Sequence, residues 1–152
     1  MATADIVKCP NCGRKNRVPA ASSGVPRCAS CKTALPWLTS AGEDDFQQVA
    51  DSTLPVLVDL WAPWCRPCDL IAPGVEQATT KLAGRLKAVK VDIDQAPAVA
   101  NRYGVRSIPT VLVLRDGREA ARQVGAVPPP ELVRWAEEVV ASQQDNQPAP
   151  TP

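Results

Sequence analysis

Read for apolar and polar positions alone, the chain changes character near residue 36. Before that point the large apolar side chains are few and irregularly placed. Ile6, Val7, Val18, Val25 and Leu35 stand among Pro10, Gly13, Pro19, Ser22, Ser23 and Gly24, residues that mark turns. So little apolar surface cannot stabilise a small fold without a staple. Beyond residue 36 the pattern becomes regular. GEDDFQQVADS predicts a short helix with acids in its first turn, where the helix dipole favours them. PVLVDLWA (Pro55–Ala62) is a nearly continuous apolar run rich in β-branched residues, and predicts a strand covered on both faces. Cys65 to about Leu82 predicts a helix that tolerates Pro67 in its first turn and kinks at Pro73. LKAVKVDI predicts a second strand, and PAVANRYG a helix closed by Gly104. TVLVLRDGREAARQVG places two strand-like runs around Asp116–Gly117, a hairpin signal. Pro128 to about Ala141 predicts a last helix with Leu132, Trp135, Val139 and Val140 as its apolar stripe. PWLTSA (Pro36–Ala41) is a candidate edge strand, and the polar, Pro-rich SQQDNQPAPTP is expected to be disordered.

The order β-α-β-α-β-β-α implies an α/β protein whose central mixed sheet is flanked by helices. Three parts are expected: a small cysteine-bearing unit over 1–36, the main domain over 37–142, and a tail over 143–152.

Charge reinforces the division. Residues 1–36 hold six basic side chains (Lys8, Arg14, Lys15, Arg17, Arg27, Lys32) and one acid (Asp5), so they carry +5 within a chain of net charge +1. MATADIVKCP has no basic stretch followed by an apolar run, and no segment approaches the ~20 apolar residues of a membrane helix. The chain therefore reads as cytoplasmic, without membrane attachment and monomeric. Cysteines in such a setting more often bind metal or exchange electrons than form structural disulfides. The chain has no histidine, which removes Ser-His and Cys-His catalysis and any mixed Cys/His metal site.

All six cysteines fall in three Cys-x-x-Cys pairs. Cys9, Cys12, Cys28 and Cys31 are spaced C-x2-C-x15-C-x2-C, so that two knuckles can face each other across one ion. Four thiolates around zinc make a closed site with a structural role, and its binding energy can fold a segment this small. Two disulfides are the weaker alternative. The surrounding basic charge offsets the negative charge that four thiolates leave on zinc. With no aromatic residue in 1–36 for base stacking, nucleic-acid binding is not expected.

Cys65 and Cys68 stand apart, after a buried strand and at the start of a helix. Free N–H groups and the dipole there stabilise a thiolate at Cys65. Cys68, a turn further in, should be less exposed. One thiol that attacks and one that resolves is what dithiol exchange requires. Asp59 lies in the middle of PVLVDLWA, where burial raises its pKa and makes it a candidate proton acceptor for Cys68. The alternative is a solvent-facing position at a strand edge.

From Val56 through Val140 the chain resembles the thioredoxin family. VDLWAPWCRPC resembles its active-site signature, SIPT at Ser107–Thr110 its cis-proline segment, and VGA at Val124–Ala126 its glycine loop. VKVDID at Val89–Asp94 resembles its central strand. With the cysteine-rich leader, the whole is similar to the bacterial thioredoxin 2 type, which carries an N-terminal zinc ribbon. That resemblance implies a thioredoxin fold preceded by a small zinc ribbon, with Cys65 as nucleophile and Cys68 as resolving thiol. Asp59 would move a proton, with Lys90 biasing its charge. Trp61, Trp64, Arg66, Pro67, Ile108, Pro109 and Gly125 would border the substrate groove, where the Ile108 backbone could pair with an extended chain. One zinc on the four N-terminal cysteines is implied. The partners would be disulfide-bearing proteins and an NADPH-dependent flavoprotein, thioredoxin reductase. No nucleotide or flavin motif stands in this chain. Arg66 occupies a position where glycine is common in the family. Its charge favours the Cys65 thiolate and a higher reduction potential. Asp69 pushes the other way and can pair with Arg66, and the net expectation is a potential slightly less reducing than that of an ordinary thioredoxin.

Overall fold

The computed structural model describes residues 4–22 and 24–145. Two sheets form. The smaller joins β1 (Ala4–Lys8) and β2 (Lys15–Pro19) as an antiparallel hairpin, with Ile6 opposite Arg17 and Lys8 opposite Lys15. The larger has five strands in the order β3 (Trp37–Ser40), β5 (Lys87–Asp92), β4 (Val56–Trp61), β6 (Thr110–Arg115), β7 (Arg118–Val124). Strand β5 runs parallel to both β3 and β4, whereas β6 is antiparallel to β4 and to β7. The sheet is therefore mixed, and PWLTSA does supply its edge strand.

Helices cover both faces. Val56, Val58 and Leu60 of β4 point to one side, where they join Val89, Val91, Leu112 and Leu114 beneath α1 (Phe46–Ala50) and α3 (Pro97–Arg102). Leu57, Ala88 and Val111 point to the other side, under α2 (Arg66–Lys81) and α4 (Pro129–Asp145). The near-continuous apolar run of β4 follows from this double covering. Gly74, inside α2, lets α2 and α4 approach closely. A Cβ there would lie 3.0 Å from the Pro129 Cα and 3.1 Å from the Leu132 Cδ2.

Two expected helix boundaries move. Asp45 caps α1 from outside and accepts a hydrogen bond from the Gly42 N–H at 2.7 Å. The acids thus form the turn ahead of the helix, because Phe46 and Val49 must be the residues that reach the core. Helix α4 continues past Ala141 to Asp145, with no proline or glycine to stop it there. The tail expected beyond it lies outside the described residues from 146 onward. The β1–β2 hairpin has no counterpart in the sequence reading, because alternation is absent from the largely exposed β1.

The N-terminal segment is anchored to the main sheet. Lys87, fully enclosed on β5, donates from Nζ to the Ala20 carbonyl at 2.6 Å and to the Val49 carbonyl at 2.5 Å. Its ammonium also sits 3.9 Å from the Trp37 ring centroid. The Trp37 indole donates to the Pro19 carbonyl at 3.0 Å. One lysine therefore ties a residue before β3 to α1 and to the indole that opens β3.

Candidate redox site and cysteine cluster

Strand β4 ends at Trp61, and the chain turns through Ala62–Trp64 into α2. Cys65 is the N-cap of α2, and Arg66 and Pro67 open its first turn. Pro67 needs no donor at that position, and its fixed φ suits a helix start. Cys65 and Cys68 are joined as a disulfide, with their Cα atoms 5.3 Å apart. The Cys65 Sγ accepts a hydrogen bond from the Cys68 N–H at 3.2 Å. Each cysteine is 4% exposed, so the expected difference in exposure is not found in this oxidised form. The asymmetry lies in the helix geometry instead: only Cys65 is the cap toward which a free backbone N–H points.

Around the disulfide, Ala62, Cys65 and Cys68 form a small buried cluster, and Trp61, Ile93 and Ile108 pack against it. The Ile108–Pro109 peptide is cis, and Pro109 is buried. Its carbonyl accepts the Gly125 N–H at 2.9 Å. Gly125 has φ +92°, a conformation that favours glycine. Trp64 stands 66% exposed and donates from Nε1 to Asp94 Oδ2 at 2.9 Å. This contact with Asp94 was not anticipated from sequence, since 30 residues separate the pair. Arg66 and Pro67 are exposed on the same shoulder. Thus the residues drawn from three separate motifs converge.

Asp59 is central in the sheet, not at a solvent-facing edge. It is 2% exposed, and its Oδ1 has no hydrogen-bond partner. Two residues along the strand from Leu57, it shares that residue's face and so lies on the α2 side of the sheet, the side that carries the disulfide. Burial pushes its carboxyl up to about 6, against the opposing pull of Lys90. Lys90 is its register partner on β5, half-buried, with Nζ 5.2 Å from the Trp61 ring centroid.

The other four cysteines are free thiols gathered at one point. Their Sγ atoms all lie within 4.8 Å of one another. The Cys9–Cys31 and Cys12–Cys28 sulfurs are 3.6 Å and 3.5 Å apart. Those spacings are far beyond a disulfide's ~2.05 Å. They match the edge of about 3.8 Å that a tetrahedron with ~2.3 Å zinc–sulfur bonds would have. The donor set and its spacing therefore fit a tetrathiolate metal. Backbone N–H groups of Cys12 and Ser30 point at Cys9 Sγ and Cys28 Sγ at 3.5 Å and 3.4 Å, and Asn11 Nδ2 donates to Cys31 Sγ at 3.5 Å. Thr33 first, then Asn11, pull the Cys31 thiol down to about 5. Donors aimed at sulfur in this way support thiolates, the form that ligates, at Cys31 and Cys28. At Cys12 the Arg14 backbone pulls the other way, but the neighbouring Cys28 sulfur and burial push the thiol up to about 11.

A disulfide set in the cap of a helix, beside a cis-proline loop and above a buried carboxyl in a mixed sheet, defines a protein of dithiol–disulfide exchange. The sequence model of the family described as Thioredoxin matches residues 37–138, and the chain belongs to that family. Thioredoxin 1 of Nostoc sp. is 47% identical over 91 residues, covering 60% of this chain and 85% of its own. Thioredoxin of Haemophilus influenzae is 44% identical over 92 residues, 60% of this chain and 86% of its own. Thioredoxin C-3 of Corynebacterium nephridii is 38% identical over 145 residues, covering 93% of this chain and 99% of its own. The chain is accordingly a thiol–disulfide oxidoreductase. None of the helices among its described residues is long and apolar enough to cross a membrane.

Proposed function

We propose that the protein is a cytoplasmic protein-disulfide reductase of the zinc-ribbon-bearing thioredoxin 2 type. The observation that carries this reading is the contrast between two sets of cysteines in one chain. One pair is bonded at a helix cap, and four thiols stand at tetrahedral spacing elsewhere. Thiols held at metal-ligand spacing rather than paired as disulfides suit a reducing compartment. The alignment with Thioredoxin C-3 supports the subtype, because coverage of 93% of the chain must include most of the N-terminal segment.

In the reduced protein, the Cys65 thiolate attacks one sulfur of a substrate disulfide, and the other substrate sulfur leaves. Cys68 then loses its proton to Asp59, directly or through water, and attacks Cys65. The second substrate thiol leaves and the Cys65–Cys68 disulfide forms. Lys90 biases Asp59 toward the charged form that can accept that proton. Trp61, Trp64, Arg66, Pro67, Ile108, Pro109 and Gly125 border the seat of the substrate chain. A thioredoxin reductase restores the dithiol. Cys9, Cys12, Cys28 and Cys31 hold one zinc, which supplies folding energy to residues 1–36 as a unit separate from the thioredoxin domain over 37–142.

Metal analysis combined with reduction of insulin disulfides tests this division. Wild type should contain about one zinc per chain. Cys65→Ser should keep the metal and lose turnover, while Cys9→Ser should weaken metal binding and keep most turnover. Turnover that survives Cys65→Ser would refute the reading, as would metal lost by that variant.

A further inference from the structure

Two exposed arginines stand close along the chain to residues of the Cys65–Cys68 cluster, and neither forms an ion pair among the described residues. Arg66 directly follows Cys65 and is exposed as the first residue of α2. Arg106 is exposed two residues before Ile108, whose side chain packs against the cysteine pair. The ion pairs among the described residues, Lys81–Glu137 and Arg122–Glu119, involve neither. Asp69, exposed a turn along α2, makes no ion pair with Arg66, although that pairing was an expectation of the sequence. The carboxylates on β5 and just after it keep their charge but form no ion pair with either arginine. Asp94 accepts the Trp64 indole N–H, and Asp92 Oδ1 accepts the Asp94 N–H at 2.9 Å. The apolar part of the shoulder, Trp64 at 66% and Val124 at 55% exposure, offers contact without charge.

Resting on the dithiol reading above, we propose that Arg66 and Arg106 select disulfides whose reacting cysteine is flanked by acidic residues. The extended substrate chain would place a carboxylate on either side of the attacked sulfur, one against each guanidinium. Such disulfides are poor partners for an ordinary dithiol. Their carboxylates repel the attacking thiolate and raise the pKa of the leaving thiol. Two unpaired guanidiniums beside the nucleophile offset both effects. The exchange itself is unchanged: two electrons pass from the Cys65/Cys68 dithiol to the substrate, whose two sulfurs depart as thiols.

Two synthetic peptide disulfides of equal length, one with Glu and one with Lys on both sides of each cysteine, test this on the full-length reduced protein. The readout is the ratio of their kcat/KM values. Arg66 also shifts the thiolate content of Cys65, but that effect changes both peptides alike and cancels in the ratio. Wild type should favour the Glu peptide by about tenfold at low salt, as two exposed ion pairs can provide. The ratio should collapse toward unity at about 0.5 M salt. Arg66→Gln and Arg106→Gln should each lower it by about threefold, mainly through KM, and Arg66→Lys should retain most of it. A ratio near one in wild type at low salt overturns the proposal, as does a Glu preference that persists in the double Gln variant. Turnover of neither peptide would instead overturn the dithiol reading, and the selectivity with it.

Discussion

Single side chains carry the sharpest chemistry here. Asp59 was legible from sequence because the apolar residues on either side of it in PVLVDLWA favour a covered strand over a solvent-facing edge. Its folded pKa of about 6 lies above the ordinary 3.8, so the folded protein holds that proton more tightly than the unfolded chain. Stability from this group is therefore fully present below about pH 4 and falls as pH rises to about 6. Ionised Asp59 costs up to about 3 kcal/mol at neutral pH. Asp59→Asn should be more stable than wild type at pH 7 by an amount of that order. The two denaturant midpoints should converge below pH 4. Resolution of the mixed disulfide should slow by about 10²-fold at pH 7, the low end of general acid–base catalysis. Equal stability across the whole pH range would contradict the burial argument. Lys87 was not legible, since its partners Ala20 and Val49 lie 67 and 38 residues away in sequence. Burial pulls its ammonium down to about 8, against the attraction of Asp51. The unfolded chain thus binds the extra proton between pH 8 and 10.5, and stability should rise with pH across that window. Lys87→Met should cost about 1–3 kcal/mol by leaving two carbonyls without a donor. Its stability should lack that rise, so the gap to wild type widens above pH 8.

At the level of helices and strands, periodicity was a good guide wherever packing is two-sided. Strand β4, helix α2 and the Asp116–Gly117 hairpin turn all follow from apolar spacing and turn chemistry, with Asp116 and Gly117 at φ +53° and +78°. Helix α1 begins later than its acids imply, and β1 escapes detection because its exposed face has no reason to alternate. The closeness of α2 and α4 is also hidden in the sequence, where Gly74 reads as an imperfection in a helix. Gly74→Ala improves helix propensity by about 1 kcal/mol. Yet it sets a methyl 3.0 Å from the Pro129 Cα, a backbone atom that cannot swing aside. The clash should win, lowering stability by a net 1–2 kcal/mol or so while leaving Cys65 chemistry largely intact. A higher urea midpoint for Gly74→Ala would mean that α4 retreats at little cost.

For the molecule as a whole, the six cysteines were the most informative letters. Spacing separated the four from the two, and the structure brings the four together as the spacing implied. What spacing could not convey is how the N-terminal segment meets the sheet. Cys9, Cys28, Val18 and Leu35 share one apolar cluster with Trp37, so the cysteine knuckles rest on the first residue of β3. If zinc is the staple, stripping it with a chelator should loosen residues 4–35 and wet the Trp37 indole. Tryptophan emission should shift to the red, and proteolysis should concentrate before residue 36. Disulfide reduction should persist, because nothing in the Cys65–Cys68 cluster comes from that segment. Peroxide should release the metal by oxidising its thiolates. If zinc loss leaves emission and proteolysis unchanged, the ion has no folding role. If it alters reductase activity, the site is a redox-responsive one.

The grip of Lys87 on the Ala20 carbonyl has a practical corollary for anyone trimming the gene to its family-matched span. A polypeptide begun at Trp37 would keep the indole and the amine but lose their cover. The result would be a scar, greasy at one end and cationic at the other, along an open sheet margin. Such a truncation should be sticky, dimerising or precipitating where the full chain does not, even though every catalytic letter survives the cut.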